Sequence, residues 1–583
     1  MTIIFDIVKI LRKEDRLKFI YLFFLVLINV FLEMFGIGLI FPILGFLISD
    51  AFLIKYSDYL QILSPFFEIN RNNLIIFFSI VLVLVFVLKN LIHLYFSFYK
   101  YRFTYNLLNY FSEKLFLKYI NKDILFFNKT NTSIPIRNID NVGIFTESFN
   151  QFLYILIDII FFISVLVLLL YINFLNTIYL LIITSIAIYF FRFFTKDRLI
   201  DLGNKRQFYL QKRIHSLLES MQGIKEIKIF FKEKFFTKRY KNFLEKYSYT
   251  SRIFETYQSL PRLWLEVLGV FSLASILVLN VILNYDSEFV ITTIAIFGVS
   301  AIKILPGLSR VLSSVQFLNH YAPVIKITID ELINAKVPIA KNTAITNKDG
   351  INSQFKFEKF LDVKDLNFSF NNKKILKNIN LTINKNDIIG IVGKTGSGKS
   401  TLANLLVGIL KPDAGSIKFD GKYSLENALT NDQNLFGYIP QTTYLLDDTV
   451  KNNVIFGQSE LDFNSELFWN CLKIARIDDF VNSLDEKENS LVGEKGVKIS
   501  GGQAQRLGIA RAIYRSPSII LLDEATSSLD MDTEKDFINS INGLKNKLTM
   551  IIITHRVASL DICDKIYSIE NGSLKLLPSK KKM

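Results

Sequence analysis

Six long apolar runs in the first part of this chain restrict its fold more than any other feature. A helix needs about 20 apolar residues to cross the hydrocarbon core of a membrane, and every run reaches that length. The alternative, buried core helices of a large soluble protein, does not account well for six such runs. The first run is too long for the core of a signal peptide and lacks a small-residue cleavage site, so we interpret it as a true span. The runs lie near residues 17–49, 73–98, 151–172, 174–195, 263–284 and 289–318.

The composition agrees with a membrane protein and excludes several other classes. Half of the 583 residues are hydrophobic, which excludes a disordered or collagen-like chain. Two cysteines cannot form a disulfide scaffold. The formal net charge is +15, and a basic excess can indicate nucleic-acid binding. The motifs described below explain the chain without nucleic acid, so we expect no such partner.

The apolar runs end before the second half of the chain, which has the pattern of a soluble α/β domain. A polar stretch from Asn342 to Ser353 has few large apolar residues and is typical of a linker. We therefore predict a transmembrane domain with long cytoplasmic helical loops at residues 1–320, a linker at 321–355 and a soluble domain at 356–583.

The distribution of Lys and Arg predicts the orientation of the spans. The N-terminal segment and the two long connections, between spans two and three and between spans four and five, are rich in Lys and Arg, whereas the other connections are not. Basic connections stay in the cytoplasm, so the N-terminus, both long connections and the soluble domain are predicted to be cytoplasmic. The connection from Asp50 to Asn72 is either a short amphipathic helix on the outer membrane surface or an ordinary extracellular loop.

A phosphate-binding loop opens the soluble domain. The apolar strand Ile388–Val392 leads into G-x-x-x-x-G-K-S and then into a helical pattern from Leu402, which is the strand–loop–helix setting that this motif requires. Glycines let backbone N–H groups approach phosphates, Lys399 supplies a charge to the β- and γ-phosphates, and Ser400 offers its hydroxyl to Mg²⁺. The predicted nucleotide contacts in this segment are Gly393, Gly396, Ser397, Gly398, Lys399, Ser400 and Thr401.

Two acids follow a second buried strand. The strand Ile519–Leu522 ends in Asp523 and Glu524. An acid at the end of such a strand suits Mg²⁺ coordination, and the next acid can polarise an attacking water as a general base. Without the phosphate loop, a solvated acidic turn would be the preferred interpretation.

A third motif lies between these two elements. The stretch Ile499-Ser500-Gly501-Gly502-Gln503-Ala504-Gln505-Arg506 resembles the signature motif of ABC-type ATPases. The family's other motifs occur in the family's order, and the match covers about residues 356–575. By this resemblance Phe370 is the aromatic residue that stacks on adenine, Gln441 belongs to the Q-loop, Asp530 in Ser528-Leu529-Asp530 belongs to the D-loop and His555 is the switch histidine.

The resemblance implies a fold, cofactors and a partner. The fold is an α-helical transmembrane bundle of six helices followed by an α/β P-loop ABC ATPase domain, and the cofactors are ATP and Mg²⁺. Two such domains enclose two ATP molecules in this family, and since the site is complete on both faces we expect a homodimer. Ile499, Ala504 and Phe370 depart from the usual residues, but none of them belongs to the catalytic set. The implied roles are catalytic for Glu524, His555, Gln441 and Asp530, metal-binding for Ser400, Gln441 and Asp523, and nucleotide-binding across the dimer for Ser500, Gly501, Gly502 and Gln503.

Two features resemble ABC exporters in particular. Gly493-Glu494-Lys495-Gly496 resembles a short element that precedes the signature in exporters, and six spans before one ATPase domain match the exporter half-transporter. Segments around Asp123–Thr132 and Gln207–Leu217 occupy positions like the family's coupling helices. The resemblance therefore implies an ATPase coupled to transmembrane movement of a substrate.

The substrate is less well specified. Four basic residues lie within or at the ends of apolar runs, where ionisable side chains are costly and often functional; snorkelling to the headgroups is the alternative. Glu33–Pro42, Pro261–Gly269 and the loop between spans one and two resemble bacterial lipid-linked oligosaccharide flippases, which implies a bacterial cytoplasmic membrane and an anionic amphiphilic substrate. Export of a drug, a peptide or another lipid, or an ATP-gated channel or regulatory subunit, are the alternatives. The candidate substrate residues are Lys89, Arg262, Lys303 and Arg310.

Overall fold

The computed structural model forms two compact units. The first comprises residues 1–122 and 126–342, and the second comprises residues 123–125 and 343–583. The residues described are 10–48, 70–283, 285, 287–334, 355–371, 373–493, 499–526, 531–543 and 545–578. The predicted amphipathic segment between Asp50 and Asn72 therefore lies almost entirely outside the described residues.

The first unit is helical throughout its described residues. Six of its helices are long and apolar enough to cross a membrane, which confirms the six predicted spans. Most of them extend well beyond the apolar runs, as expected for helices that continue out of the bilayer. The helices are α1 (Lys13–Ile48), α2 (Arg71–Ile120), α3 (Ile124–Lys129, whose first two residues belong to the second unit), α4 (Ser133–Ile172), α5 (Phe174–Gln222), α6 (Ile224–Ile229), α7 (Glu233–Ile282) and α8 (Ser287–Ile333).

These helices bury a small core and expose many apolar side chains. Phe96, Phe111 and Phe145 are buried in the core, whereas Leu91 and Val167 are among many exposed apolar residues. An aqueous protein would hide such residues, but lipid tails are as apolar as the side chains themselves. The outward apolar surface is therefore what a lipid bilayer requires.

The structure changes two boundaries expected from the sequence. Helix α8 continues to Ile333, past the predicted domain boundary at residue 320, because Ile325, Ile329 and Leu332 keep a buried helical spacing. The expected coupling segment Gln207–Leu217 is wrong, because it lies within uninterrupted α5. The reversal occurs instead at Gly223, where α5 ends and α6 begins.

The second unit is an α/β domain with two sheets. Its strands are β1 (Phe360–Phe370), β2 (Lys373–Asn384), β3 (Ile388–Val392), β4 (Ala414–Phe419), β5 (Tyr423–Ser424), β6 (Phe436–Ile439), β7 (Ile519–Asp523), β8 (Thr549–Ile553), β9 (Lys565–Glu570) and β10 (Ser573–Leu576). Its helices are α9 (Lys399–Leu406), α10 (Leu425–Asn431), α11 (Val450–Ile455), α12 (Ser465–Ile474), α13 (Asp478–Asn482), α14 (Gly501–Tyr514), α15 (Met531–Asn542) and α16 (Val557–Leu560).

The six-stranded sheet of this unit has the order β10-β9-β3-β8-β7-β6. Strands β9, β3, β8, β7 and β6 are parallel, and only β10 runs antiparallel to its neighbour. A separate four-stranded antiparallel sheet has the order β2-β1-β4-β5. In a parallel sheet the carboxyl ends of the strands meet at one edge, which is where ligands bind in such folds.

Both faces of the six-stranded sheet are buried, which explains why its central strands are apolar without alternation. Ile389, Leu521 and Ile551 pack on one face with the antiparallel sheet and α9. Ile520 and Ile552 pack on the other face with residues of α11, α12 and α14. The sheet is thereby held between two apolar layers, and the polar residue of β7, Asp523, lies at the end of its strand.

Candidate nucleotide site and charged cavity

The phosphate loop connects the end of β3 to the start of α9. Gly396 and Gly398 have φ angles of +80° and +107°, which side chains rarely adopt. A Cβ on Gly393 would lie 2.6 Å from the carbonyl oxygen of Ile569, so only glycine fits there. These three glycines let the loop curl around a small space at the helix N-terminus.

Lys399 is the first residue of α9 and is buried. Its Nζ donates to the carbonyl oxygens of Gly393 at 2.8 Å and Lys394 at 3.2 Å. The nearest carboxylate oxygen among the described residues, of Glu524, lies 3.8 Å away. The ammonium group is therefore held over the loop by neutral oxygens, where phosphate oxygens could replace them.

Asp523 ends β7 and points its carboxylate at the phosphate loop. Ser400 Oγ donates to Asp523 Oδ1 at 3.4 Å, and Tyr438 OH donates to Asp523 Oδ2 at 3.4 Å. Burial raises the pKa of Asp523, while the hydrogen bond from Ser400 opposes that shift. The same burial raises the pKa of Tyr438 to about 12, so its hydroxyl remains a donor at neutral pH.

Glu524, the next residue, is the centre of the polar contacts. Its Oε2 accepts a hydrogen bond from Gln441 Nε2 at 2.9 Å, and its Oε1 lies 3.3 Å from His555 Nε2. Glu524 has a φ of +52°, a conformation that costs a non-glycine residue of order 1–3 kcal/mol. That backbone turn directs the carboxylate back toward Gln441, His555 and Lys399.

The signature segment forms the N-terminus of α14. Ser500 caps the helix, because Gln503 N donates to Ser500 Oγ at 3.2 Å and Ser500 N donates to Gln503 Oε1 at 2.7 Å. The position of a Cβ on Gly501 has no neighbour within 4 Å. The helix start is thus rigid and open, with Gly502 completing its first turn.

The remaining predicted nucleotide residues differ in how far the structure defines them. Thr401 lies in the first turn of α9. Phe370 ends β1 and packs partly buried against the core, and its stacking on adenine stays a prediction. Asp530 and the exporter-like residues Glu494 to Gly496 lie outside the described residues.

Two features of the site fit a nucleotide and a metal ion. Ser397 Oγ is buried and has no hydrogen-bond partner among the described residues, so the loop holds an unused donor where phosphate would lie. Ser400 and Asp523 bring two hard oxygen atoms together, which suits Mg²⁺. Gln441 contacts Glu524 rather than these oxygens, so its role as a metal ligand stays a prediction.

The contact of Tyr438 with Asp523 was not predicted from the sequence. Residue 438 of β6 pairs with Leu521 of β7, and Asp523 follows Leu521 by two residues on the same face. The alternation of strand β6, taken together with its neighbour, could have indicated that Tyr438 and Asp523 face the same side.

In the first unit, a cavity of about 470 Å³ gathers three of the four candidate substrate residues. Lys89 forms an ion pair with Glu33, and Lys303 Nζ lies 3.4 Å from the other oxygen of Glu33. Arg310 donates to both oxygens of Asp158, at 3.0 and 2.6 Å. The cations therefore point inward to carboxylates, which argues against snorkelling for these three side chains.

Arg262 is not part of this cavity and is exposed on α7. The predicted set of basic substrate residues is corrected in a second respect, because the carboxylates of Glu33 and Asp158 neutralise most of its charge. Asp158 was missed in the sequence, although a single carboxylate within the apolar run 151–172 is a signal of its own.

These features define an ATP-binding membrane protein. One domain has a phosphate loop, a capped signature helix and an acidic strand end, and it is fused to six apolar helices. Two family matches make this specific: the ABC transporter transmembrane region matches residues 19–305, and the ABC transporter family matches residues 376–527. The chain belongs to the ABC transporters and has the half-transporter arrangement of one transmembrane region followed by one ATPase domain.

Individual relatives match parts of the chain. A multidrug resistance ABC transporter ATP-binding and permease protein of Lactococcus lactis is 37% identical over 217 residues, 37% of each chain. An ATP-dependent lipid A-core flippase of Francisella novicida is 30% identical over 389 residues, 64% of this chain and 62% of that protein. The chain thus spans less than two thirds of the length of the curated relatives it matches.

A solved structure extends the likeness to nearly the whole chain. It is the structure of a bacterial Atm1-family ABC exporter with ATP bound, and it is 20% identical with a TM-score of 0.70. The alignment covers 96% of this chain and 94% of that chain. At this identity the likeness shows the fold.

Proposed function

We propose that this chain is an ATP-driven exporter or flippase that works as a homodimer. It moves an anionic amphiphile, such as a lipid-linked oligosaccharide, from the inner to the outer leaflet of a bacterial cytoplasmic membrane. The main support for ATP hydrolysis is that the Glu524 carboxylate contacts Gln441 and His555 beside a complete phosphate loop. The six apolar helices on the same chain carry the transport part.

Hydrolysis follows from the positions of these side chains. Phosphate oxygens entering the loop replace the carbonyl contacts of Lys399, which then neutralises charge on the transferred phosphoryl group. Glu524 accepts a proton from the attacking water, and Gln441 and His555 hold its carboxylate in place. Mg²⁺ bound near Ser400 and Asp523 would supply further neutralisation of the phosphates.

Homodimerisation is supported by the open N-terminus of α14. A helix start with a serine hydroxyl suits the γ-phosphate of a nucleotide, and the sequence carries one signature motif and one phosphate-loop motif. ATP that binds better to a closed pair of ATPase domains shifts the membrane helices toward their outward-open state. Hydrolysis and product release reverse that shift.

The substrate class is supported by the cavity that Lys89, Lys303 and Arg310 line. One relative bears the name ATP-dependent lipid A-core flippase, which supports a lipid as the transported substrate. The same relative supports a bacterial inner membrane, and the basic connections support a cytoplasmic ATPase domain.

A multidrug exporter is the second candidate. A groove of about 1010 Å³ between α5 and α7 is lined almost entirely by apolar side chains, among them Phe190, Trp264 and Phe271. Such a groove would suit an apolar drug rather than an anionic lipid. An ATP-gated channel or a regulatory subunit would need neither the groove nor the charged cavity.

Reconstitution into liposomes tests the proposal. Fluorescent lipids with anionic and neutral headgroups are placed in the leaflet that faces the ATPase domains, and their appearance in the other leaflet is followed. We expect ATP-dependent movement of the anionic lipid and stimulation of ATP hydrolysis, with no movement when a non-hydrolysable ATP analogue is used. Movement of an apolar drug alone would favour the multidrug candidate, and ATP-dependent ion current without lipid movement would favour a channel.

A further inference from the structure

One carboxylate in the membrane cavity serves two lysines. Glu33 of α1 pairs with Lys89 of α2 through one oxygen and with Lys303 of α8 through the other. The two ammonium groups also flank the same ring, since their Nζ atoms lie 5.1 and 5.2 Å from the centroid of Phe86. Gly36 leaves room for that ring, because a Cβ there would lie 3.0 Å from it. The arrangement holds two cations close together with one counter-ion.

The charges lining the cavity do not cancel. Among the described residues that line it, three cations, Lys89, Lys303 and Arg310, face two carboxylates, Glu33 and Asp158. Arg310 is matched by both oxygens of Asp158, so the surplus positive charge lies on the Glu33 side. An uncompensated charge inside a helical bundle is costly, and it favours one bound negative charge.

The two lysines are not equivalent. Lys89 is 13% exposed and makes the shorter contact with Glu33, whereas Lys303 is 32% exposed and lies 3.4 Å from it. The looser and more accessible ammonium group is the one that a ligand can reach. Lys89 then remains paired with Glu33 when a ligand binds Lys303.

We propose that the cavity binds one singly charged phosphate group of an amphiphile per chain, with Lys303 as the contacting cation and Glu33 as an internal counter-ion that sets the accepted charge. This rests on the proposed transport function for its physiological meaning, but the binding site itself follows from the cavity. Glu33 is a specificity-determining residue, because it satisfies one lysine and leaves one charge for the ligand. Two copies in a homodimer would supply two such charges, which equals the charge of a diphosphate diester.

A series of charge variants tests whether the cavity has one surplus positive charge. The full chain is used, purified in neutral detergent without ATP. Binding of short-chain phosphatidylglycerol, farnesyl diphosphate and phosphatidylcholine is measured by native mass spectrometry at low and high salt. The wild type should prefer the singly charged lipid over the zwitterionic one. Lys303→Gln removes the surplus charge and should weaken phosphatidylglycerol binding by roughly tenfold to a hundredfold.

Removal of the counter-ion should act in the opposite direction. Glu33→Gln leaves two unmatched lysines, so affinity for the more highly charged farnesyl diphosphate should rise relative to phosphatidylglycerol. The double variant Glu33→Gln/Lys89→Gln restores a single surplus charge and should regain the wild-type preference. If Glu33→Gln fails to fold, this double variant still tests whether one surplus charge determines binding, since it removes both partners of the ion pair together.

Matched controls lie on α7, outside the cavity. Lys241→Gln and Glu266→Gln each remove one charge from an exposed side chain of α7, and both should bind lipid like the wild type. Wild-type binding by Lys303→Gln, or a double variant that behaves like Lys303→Gln, would overturn the proposal. Inorganic phosphate that binds as tightly as the lipid would overturn the amphiphile as ligand.

The binding series and the transport assay can fail separately. Charge-dependent binding without ATP-driven movement would refute the proposed function and leave the site. ATP-driven movement of lipid that ignores the charge series would refute the site and leave the function.

Discussion

The nucleotide site and the membrane cavity each centre on one glutamate that several polar side chains share. Glu524 follows its strand directly and is separated from the phosphate loop by a whole subdomain, yet short motifs mark all of its partners. Glu33 contacts Lys303, which lies 270 residues away in the sequence, and no motif links them. The difference teaches that the chemistry at strand ends is encoded by short sequence motifs, whereas charge pairing between membrane helices depends on how the helices pack.

The two glutamates also differ in what surrounds them. Glu524 lies at an edge of the sheet, where water and a nucleotide can reach it. Glu33 lies among apolar helices, where the effective dielectric constant is lower and the same pair of charges interacts more strongly. We therefore expect substitutions at the nucleotide site to change rates and substitutions in the cavity to change stability and selectivity.

The largest expected effect is on hydrolysis. Glu524→Gln keeps the shape and the hydrogen bond to Gln441 but removes the general base, so ATP hydrolysis should fall by roughly 100- to 10,000-fold. Binding of ATP should remain, because Lys399 and the loop are untouched. The measurement is phosphate release and binding of a fluorescent ATP analogue by the same preparation. Glu570→Gln, which removes an exposed partner of Lys575, is the control, and equal rates in both variants would exclude the role of Glu524.

A second substitution tests the cavity through stability. Asp158 is 3% exposed and Arg310 is 56% exposed in their shared ion pair. Asp158→Asn leaves the guanidinium without its carboxylate and should cost roughly 1–3 kcal/mol of unfolding free energy. The double variant Asp158→Asn/Arg310→Gln should recover most of that loss, since both charges of this ion pair are removed together.

Thermal unfolding in detergent measures this double-mutant cycle. The control is Asp201→Asn, which breaks an exposed pair with Lys205 one turn away on α5 and should cost at most about 0.5 kcal/mol. Additive losses in the double variant would mean that Asp158 and Arg310 act independently, contrary to the geometry.

Acidification should distinguish Asp523 from ordinary aspartates. Burial raises its pKa, so the ionised form that binds Mg²⁺ is lost at a higher pH than for an exposed aspartate. Mg²⁺-dependent ATP binding should therefore weaken on moderate acidification. The stability of the nucleotide-free protein should change in the opposite direction. Because burial raises the pKa of Asp523, protonation on acidification relieves the cost of burying its charge, so this residue destabilises the folded state less at acidic pH.

Titration with a fluorescent ATP analogue, with Mg²⁺ and with a chelator, measures the effect between neutral and acidic pH. The variant Asp523→Asn should show weak and nearly pH-independent binding in Mg²⁺. A pH dependence that survives unchanged in this variant would come from another group and would contradict the assignment to Asp523.

The comparison also explains how much the sequence could predict. The six spans, the phosphate loop, Asp523 and Glu524 are encoded by contiguous patterns, and the structure has them on the expected elements. Asp158, the pairing of Glu33 and the end of α8 at Ile333 were not predicted. A contact between helices depends on their rotation and register, which apolar periodicity alone does not determine.

The smallest expected effect concerns Tyr438. This residue lies on a strand of the nucleotide site but belongs to no motif, so its contact, like those in the cavity, depends on packing. Its hydroxyl donates to Asp523 Oδ2 at 3.4 Å, a long bond between a neutral donor and a carboxylate. Tyr438→Phe should weaken Mg²⁺-dependent ATP binding by roughly two- to tenfold, since a net hydrogen bond contributes about 0.5–1.5 kcal/mol.

Because Tyr438 orients Asp523 and does not touch the reacting atoms, saturating Mg²⁺ should restore the wild-type kcat in Tyr438→Phe. Titration of ATPase activity with Mg²⁺ measures this split, and Tyr444→Phe, at an exposed tyrosine, is the matched control. A lower kcat at saturating Mg²⁺ would instead give Tyr438 a role in the chemical step. A restored kcat would mean that Tyr438 affects Mg²⁺ binding only by orienting Asp523, just as Lys89 affects ligand binding in the cavity only by pairing with Glu33.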